Sequence, residues 1–100
     1  MSRNTGPNGL ALIPAHNEEA RIGAVVEEAK KHLAVLVVDD GSGDGTARAA
    51  EAAGARVIRH EANQGKGAAL RSGFRCAIEQ GYDFIITLDA DGQHDPDEIP

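Results

Sequence analysis

The residues best suited to chemistry are Asp89 and Asp91, two carboxylates one residue apart in the stretch Thr87-Leu88-Asp89-Ala90-Asp91-Gly92-Gln93-His94-Asp95-Pro96. They follow an apolar run, Phe84 to Leu88, whose β-branched and aromatic content reads as a buried strand. Both therefore stand at a strand's carboxyl end, where open α/β sheets bind ligands. In extended geometry, side chains two apart point the same way. Two like charges held together repel, and an unpaired carboxylate is costly to desolvate. A divalent cation answers both problems. Hard oxygen ligands in small number suit Mg²⁺ or Mn²⁺, with water and substrate phosphates completing the shell. A solvated acidic turn is the plainer reading of the same residues. A calcium loop fits poorly: the glycine comes too early, no Glu stands at the twelfth position, and a strand rather than a helix precedes it.

The rest of the chain reads as the scaffold for this pair. Residues 1–9 are polar and rich in Gly and Pro, a loose leader. Leu10 to Ile13 is a first strand ended by Pro14, which cannot donate to a continuing ladder. Asn17 is placed to cap a helix, with Glu18 and Glu19 in its first turn. Ile22, Val25, Val26, Ala29 and Leu33 form its apolar face. Ala34 to Val38 is a second strand, apolar throughout and so covered on both faces. Asp39-Asp40-Gly41-Ser42-Gly43-Asp44-Gly45-Thr46 follows, with glycines for a tight turn and close backbone approach to a ligand. An Ala-rich helix runs from Thr46 to Ala53 and stops at Gly54. Ala55 to Arg59 is a third strand near the sheet edge. After the polar loop His60 to Gly67, Leu70, Phe74, Ala77 and Ile78 make a helical stripe stopped by Gly81. Past the acidic pair, Asp95-Pro96-Asp97-Glu98 begins a fourth helix.

The order β-α-β-α-β-α-β-α predicts a Rossmann-like, doubly wound, mainly parallel α/β sheet with right-handed crossovers. Polar clusters after each strand then gather on one rim: Pro14–Glu18, Asp39–Thr46, Asn63–Gly67 and Asp89–His94. Structural roles remain open for each, with Asn17, Asp39 or Asp40 as helix caps and Gly65-Lys66-Gly67 as a turn. No G-x-G-x-x-G follows the first strand, and Gly65-Lys66-Gly67-Ala68 lacks the upstream glycine and following Ser/Thr of a P-loop. A receiver domain would carry its acidic pair after the first strand, not the second.

The chain has 100 residues, 41% hydrophobic and 26% charged, the composition of one small globular domain. Its net charge of -6 argues against nonspecific nucleic-acid binding, which needs a basic face. A single cysteine, Cys76, excludes an internal disulfide and fits a reducing compartment; within its helical pattern it reads as a small buried hydrophobe. No apolar run approaches the length of a membrane span and no signal peptide is visible, so the expected location is cytoplasmic.

Four ordered blocks resemble the family 2 glycosyltransferases, which have the GT-A fold. They are Pro14-Ala15-His16-Asn17-Glu18-Glu19, Val37-Val38-Asp39-Asp40-Gly41-Ser42-x-Asp44-Gly45-Thr46, Asn63-x-Gly65-Lys66-Gly67 and Leu88-Asp89-Ala90-Asp91-Gly92-Gln93-His94-x-Pro96. The last block, followed by Ile99-Pro100, is similar to the dolichol-phosphate mannose synthase branch, which transfers sugar to a polyprenyl phosphate. The match runs from Leu10 to Pro100. The resemblance implies metal-dependent, inverting transfer of a hexose from a GDP- or UDP-sugar to a lipid phosphate, with peripheral attachment at the cytoplasmic face of a membrane. Carried over by position, Pro14, His16 and Glu18 line the nucleotide pocket and Asp40 contacts the base. Asp39 and Lys66 join the donor-binding set, and Ala90 and Gln93 flank the donor. Asp89 and Asp91 form the D-x-D, with Asp91 the more direct ligand of Mg²⁺ or Mn²⁺. His16 stands where the branch more usually has Tyr. The family's acceptor side and catalytic base follow the D-x-D, so residues 10–100 are expected to be a donor-binding part that is inactive alone. A nucleotidyltransferase of similar fold and a non-catalytic, metal- or nucleotide-binding α/β module are the alternatives.

Overall fold

The computed structural model describes residues 8–91. Seven elements alternate: β1 (Gly9–Ala15), α1 (Glu19–Ala29), β2 (Ala34–Asp40), α2 (Thr46–Ala53), β3 (Arg56–His60), α3 (Lys66–Gln80) and β4 (Phe84–Thr87). The four strands form one sheet in the order β3-β2-β1-β4, with all pairs parallel. The expected doubly wound α/β architecture is therefore present. Odd-numbered residues of β1 and β2 (Ala11, Ile13, Val35, Val37) pack against Ile22, Val26, Ala29, Ala50 and Ala53 of α1 and α2. Even-numbered ones (Leu10, Leu12, Leu36, Val38) pack against Ala69 and Ala77 of α3. This two-residue alternation is the pleat of the strand, and it explains why residues 10–13 of β1 and 35–38 of β2 are apolar on both faces.

The chain builds outward from β1 to β2 and β3, then returns to place β4 on β1's other side. The gap between β1 and β4 is thus a topological switch point, the place where sheets of this kind open a crevice beyond their carboxyl ends.

Several sequence expectations need correction. Gly9, expected in the leader, belongs to β1 and pairs with Phe84. The Phe84 ring occupies the space a Cβ on Gly9 would need. Pro14 does not end β1. The Leu12 carbonyl accepts from the Leu88 N–H at 3.0 Å, so Leu12 turns its polar groups toward β4, and Pro14 turns the same way two residues later. The β1–β4 ladder ends at Leu12↔Thr87, so the N–H that proline lacks has no ladder partner to lose. Asn17 is not the cap of α1. Glu18 occupies that position, while Asn17 sits at φ 55 and ties two loops together. Half of the predicted stripe on α3 faces the core: Ala77 is buried and Leu70 packs partly buried against it, whereas Phe74 is 38% and Ile78 75% exposed, and Ala69 and Gly73 complete the buried face. The Leu12 side chain fills the space a Cβ on Gly73 would need, so the helix lies close to the sheet on its smallest residues. Cys76 is half-buried at the margin of this second core. The fourth helix from Asp95, Gln93 and residues 1–7 lie outside the described residues. Among the described residues, no helix is long and apolar enough to cross a membrane.

Candidate functional site

A cavity of about 320 Å³ opens at the switch point. Pro14, near the end of β1, and His16 and Glu18, beyond it, line the cavity, with Asp40 at the end of β2. Asn63 and Gly65 reach it from the β3–α3 loop, Lys66 from the first position of α3, and Asp89, Ala90 and Asp91 from beyond β4. Of the expected donor and metal residues within the described part, all but Asp39 meet here. A larger hollow of about 570 Å³ lies at the opposite rim, among the strand starts Gly9, Ala34 and Arg56. It contains none of the expected residues.

Asp40 organises the walls of the cavity. It is 4% exposed, yet its carboxylate is richly hydrogen-bonded. Oδ1 accepts from His60 Nδ1 at 2.8 Å and from the Gln64 N–H at 2.9 Å, and Oδ2 accepts from the Gly65 N–H at 2.8 Å. Burial alone would raise its pKa. The hydrogen bonds from His60, Gln64 and Gly65, with the charge His60 can carry, outweigh burial and hold the carboxyl below its ordinary value of 3.8. The Asp40 carbonyl accepts from His16 Nδ1 at 2.9 Å and from Asn63 Nδ2 at 3.4 Å. The first contact places the ring proton of His16 on Nδ1 and leaves Nε2 to accept from the Asn17 amide at 3.3 Å. One residue therefore fixes the β1–α1 loop, the β3–α3 loop and the start of α3.

Asp39 belongs to the other face. Strand alternation turns it away from the cavity, toward the side of α1 and α2. It is fully buried; Oδ1 accepts from the Ser42 N–H at 3.1 Å, and Oδ2 has no hydrogen-bond partner among the described residues. Arg59 Nε, 3.7 Å from Oδ2, balances the charge through space. The remainder of the Asp39–Thr46 motif is mainly architectural. The Asn17 N–H donates to Ser42 Oγ, the Glu18 N–H to Thr46 Oγ1 and the Glu19 N–H to Asp44 Oδ2. In return, the Gly43 N–H donates to Asn17 Oδ1 and the Gly45 N–H to Glu19 Oε1. Each loop thus satisfies N–H groups at the start of the other's helix. Asp44 Oδ1 also accepts from both the N–H and the hydroxyl of Thr46, holding its pKa low.

Asp89 and Asp91 line the cavity together, and Lys66 Nζ stands 3.3 Å from Asp89 Oδ1. Among the described residues, no three His, Cys, Asp or Glu side chains gather to hold a metal by themselves. Two carboxylates fit Mg²⁺ or Mn²⁺ only where phosphate oxygens and water complete the shell, as is usual for Mg²⁺ beside a nucleotide. The residue not anticipated as part of this site is His60. Its signal lay in register: in the parallel β2–β3 pair, Asp40 and His60 are opposite.

The chain is 38% identical over 99 residues to an undecaprenyl-phosphate mannosyltransferase of Micrococcus luteus, covering 91% of this chain and 41% of that protein. It is 36% identical over 107 residues to a UDP-N-acetylglucosamine–dolichyl-phosphate N-acetylglucosaminyltransferase of Methanococcus voltae, covering 88% and 43%. The chain thus spans about two-fifths of the length of these relatives. Its fold matches glucosyl-3-phosphoglycerate synthase of Mycobacterium tuberculosis, crystallised with Mn²⁺, UDP and glucosyl-3-phosphoglycerate. The TM-score is 0.71 and the identity 31%, over 85% of this chain and 34% of the synthase. The model of glycosyl transferase family 2 matches residues 11–100, and the chain belongs to that family.

Proposed function

We propose that this chain supplies the donor-binding half of a glycosyltransferase. The whole protein would move a hexose, such as mannose or glucose, from a nucleotide-diphosphate sugar to a polyprenyl or dolichyl phosphate, with inversion and with a divalent cation. The observation that carries this reading is the meeting of Asp89, Asp91, Lys66 and Asp40 around one cavity at the switch point. The names of the two relatives, which transfer to undecaprenyl and dolichyl phosphate, support a lipid-phosphate acceptor. The related synthase, crystallised in complex with both Mn²⁺ and UDP, supports the cation. A lipid acceptor would bring the protein to the cytoplasmic face of a membrane.

Asp89 and Asp91 would hold Mg²⁺ or Mn²⁺, which as a Lewis acid stabilises the charge developing on a nucleoside diphosphate leaving group. Lys66 is two-thirds exposed, so exchanging Asp89 for a phosphate costs it about 1 kcal/mol or less. Lys66 also begins α3, whose first-turn N–H groups carry the positive end of the helix dipole. Asp40 and Asn63 would meet the base. A phosphate acceptor is already anionic at neutral pH, which reduces the demand on a general base. The test is calorimetric titration of UDP and GDP, with and without Mn²⁺, into the wild type and Asp91→Ala. Binding that requires Mn²⁺ and is lost in Asp91→Ala is expected. Equal affinity with and without Mn²⁺ would contradict the reading.

A further inference from the structure

The acceptor capacity of Asp40 can be counted. An ionised carboxylate offers about four lone-pair positions, two on each oxygen. Oδ1 already accepts two hydrogen bonds, from His60 Nδ1 and the Gln64 N–H, and Oδ2 accepts one, from the Gly65 N–H. A single position therefore remains, on Oδ2. His60 closes Oδ1, and its ring is itself held, with Nε2 2.8 Å from Ser72 Oγ and only 11% of the side chain exposed. The Ser72 hydroxyl donates to Nε2 when the ring is neutral and accepts from it when the ring is charged, so Nδ1–H points at Asp40 in both states.

We infer that this arrangement selects uracil among nucleotide bases, and that His60 is the positioning residue that sets the choice. The selection rests on the reading of the cavity as a nucleotide site. Uracil and guanine carry an N–H at the middle of their pairing edge, whereas cytosine and adenine carry a lone pair there, which a carboxylate repels. Guanine adds an amine beside its N–H, and the two donors suit the two oxygens of a carboxylate side by side. With Oδ1 closed, that amine is left buried without an acceptor. Uracil instead presents a carbonyl on each side, which needs a donor. The Asn63 amide, on the cavity wall and 3.4 Å from the Asp40 carbonyl, supplies one.

The experiment is calorimetric titration of UDP, GDP and CDP, each with Mn²⁺, into the wild-type chain, His60→Leu and His60→Asn. Leaving one buried donor unsatisfied predicts that the wild type binds UDP on the order of tenfold more tightly than GDP, with CDP weaker than UDP. His60→Leu removes the N–H and reopens Oδ1, bringing GDP to within about threefold of UDP. His60→Asn keeps a side-chain N–H toward Oδ1 and retains the wild-type preference. Wild type that binds GDP as tightly as UDP overturns the selection, and this holds even if His60→Leu does not fold. A UDP preference unchanged in His60→Leu overturns the role of His60 alone. Wild type that binds none of the three overturns the nucleotide reading of the cavity, and the selection falls with it.

Discussion

Substituting Gly41 by Ala tests how tightly the end of β2 controls the wall of the cavity. Gly41 has φ 72, and a Cβ there would run into the backbone of Ala62 and Asn63. Two penalties combine. A left-handed conformation costs a residue with a Cβ about 1 kcal/mol. Overpacking against backbone that cannot swing aside adds about 1–3 kcal/mol. The sum, about 2–4 kcal/mol, corresponds to a fall in Tm of about 10–30 °C for a domain of this size. The same clash pushes Asn63, Gln64 and Gly65 away from Asp40, so nucleotide affinity should fall as well. Gly43 is the control within the same loop: it is exposed, and among the described residues no atom lies within 4 Å of where its Cβ would stand. Gly43→Ala should change stability by no more than about 0.5 kcal/mol. Thermal unfolding followed by circular dichroism measures both variants. A Gly41→Ala variant within about 3 °C of the wild type would refute the close packing of these two loops.

The depressed pKa of Asp40 gives a pH signature. A carboxyl whose folded value lies below its unfolded one contributes stability that is complete above about pH 4 and is lost as pH falls through the folded value. Asp40→Asn should therefore be less stable at neutral pH but lose less between about pH 5 and pH 3 in urea titrations; parallel losses would contradict this. The buried face of α3 makes a second prediction, also read by urea unfolding. Ile78→Ser should cost no more than about 0.5 kcal/mol, because the side chain is 75% exposed. Gly73→Val, which drives a side chain into Leu12, should cost about 1–3 kcal/mol.

Much of the fold could be read from the sequence because its signals are local. The bounds of α2, Thr46 to Ala53, are local information, since an Ala-rich helix stopped by a left-handed glycine needs no tertiary context. The errors arose where tertiary context decides. Pro14 ends a strand only if its missing N–H faces a partner, and that depends on where β4 stops. On α3 the size of Phe74 and Ile78 does not mark burial, because a close helix–sheet contact selects small residues, Ala69 and Gly73 beside the expected Ala77. The candidate site was legible at the level of clusters, since every strand end carries polar residues. Which member of a cluster enters the cavity was less so: Asp39 and Asp40 are neighbours, and the alternation of the strand sends only Asp40 inward. His60 needed the register of β2 against β3, which no local pattern contains.

The most direct test of the central claim, that the acidic pair and the loop at α3 form one nucleotide–cation site, is a paramagnetic NMR titration of the ¹⁵N-labelled chain with Mn²⁺ and UDP together. Broadening should remove the amide signals of Lys66, Asp89, Ala90 and Asp91 first and leave those of Arg56 and Tyr82, at the opposite rim, intact. Broadening centred on the opposite rim, or equal broadening with and without nucleotide, would contradict the account.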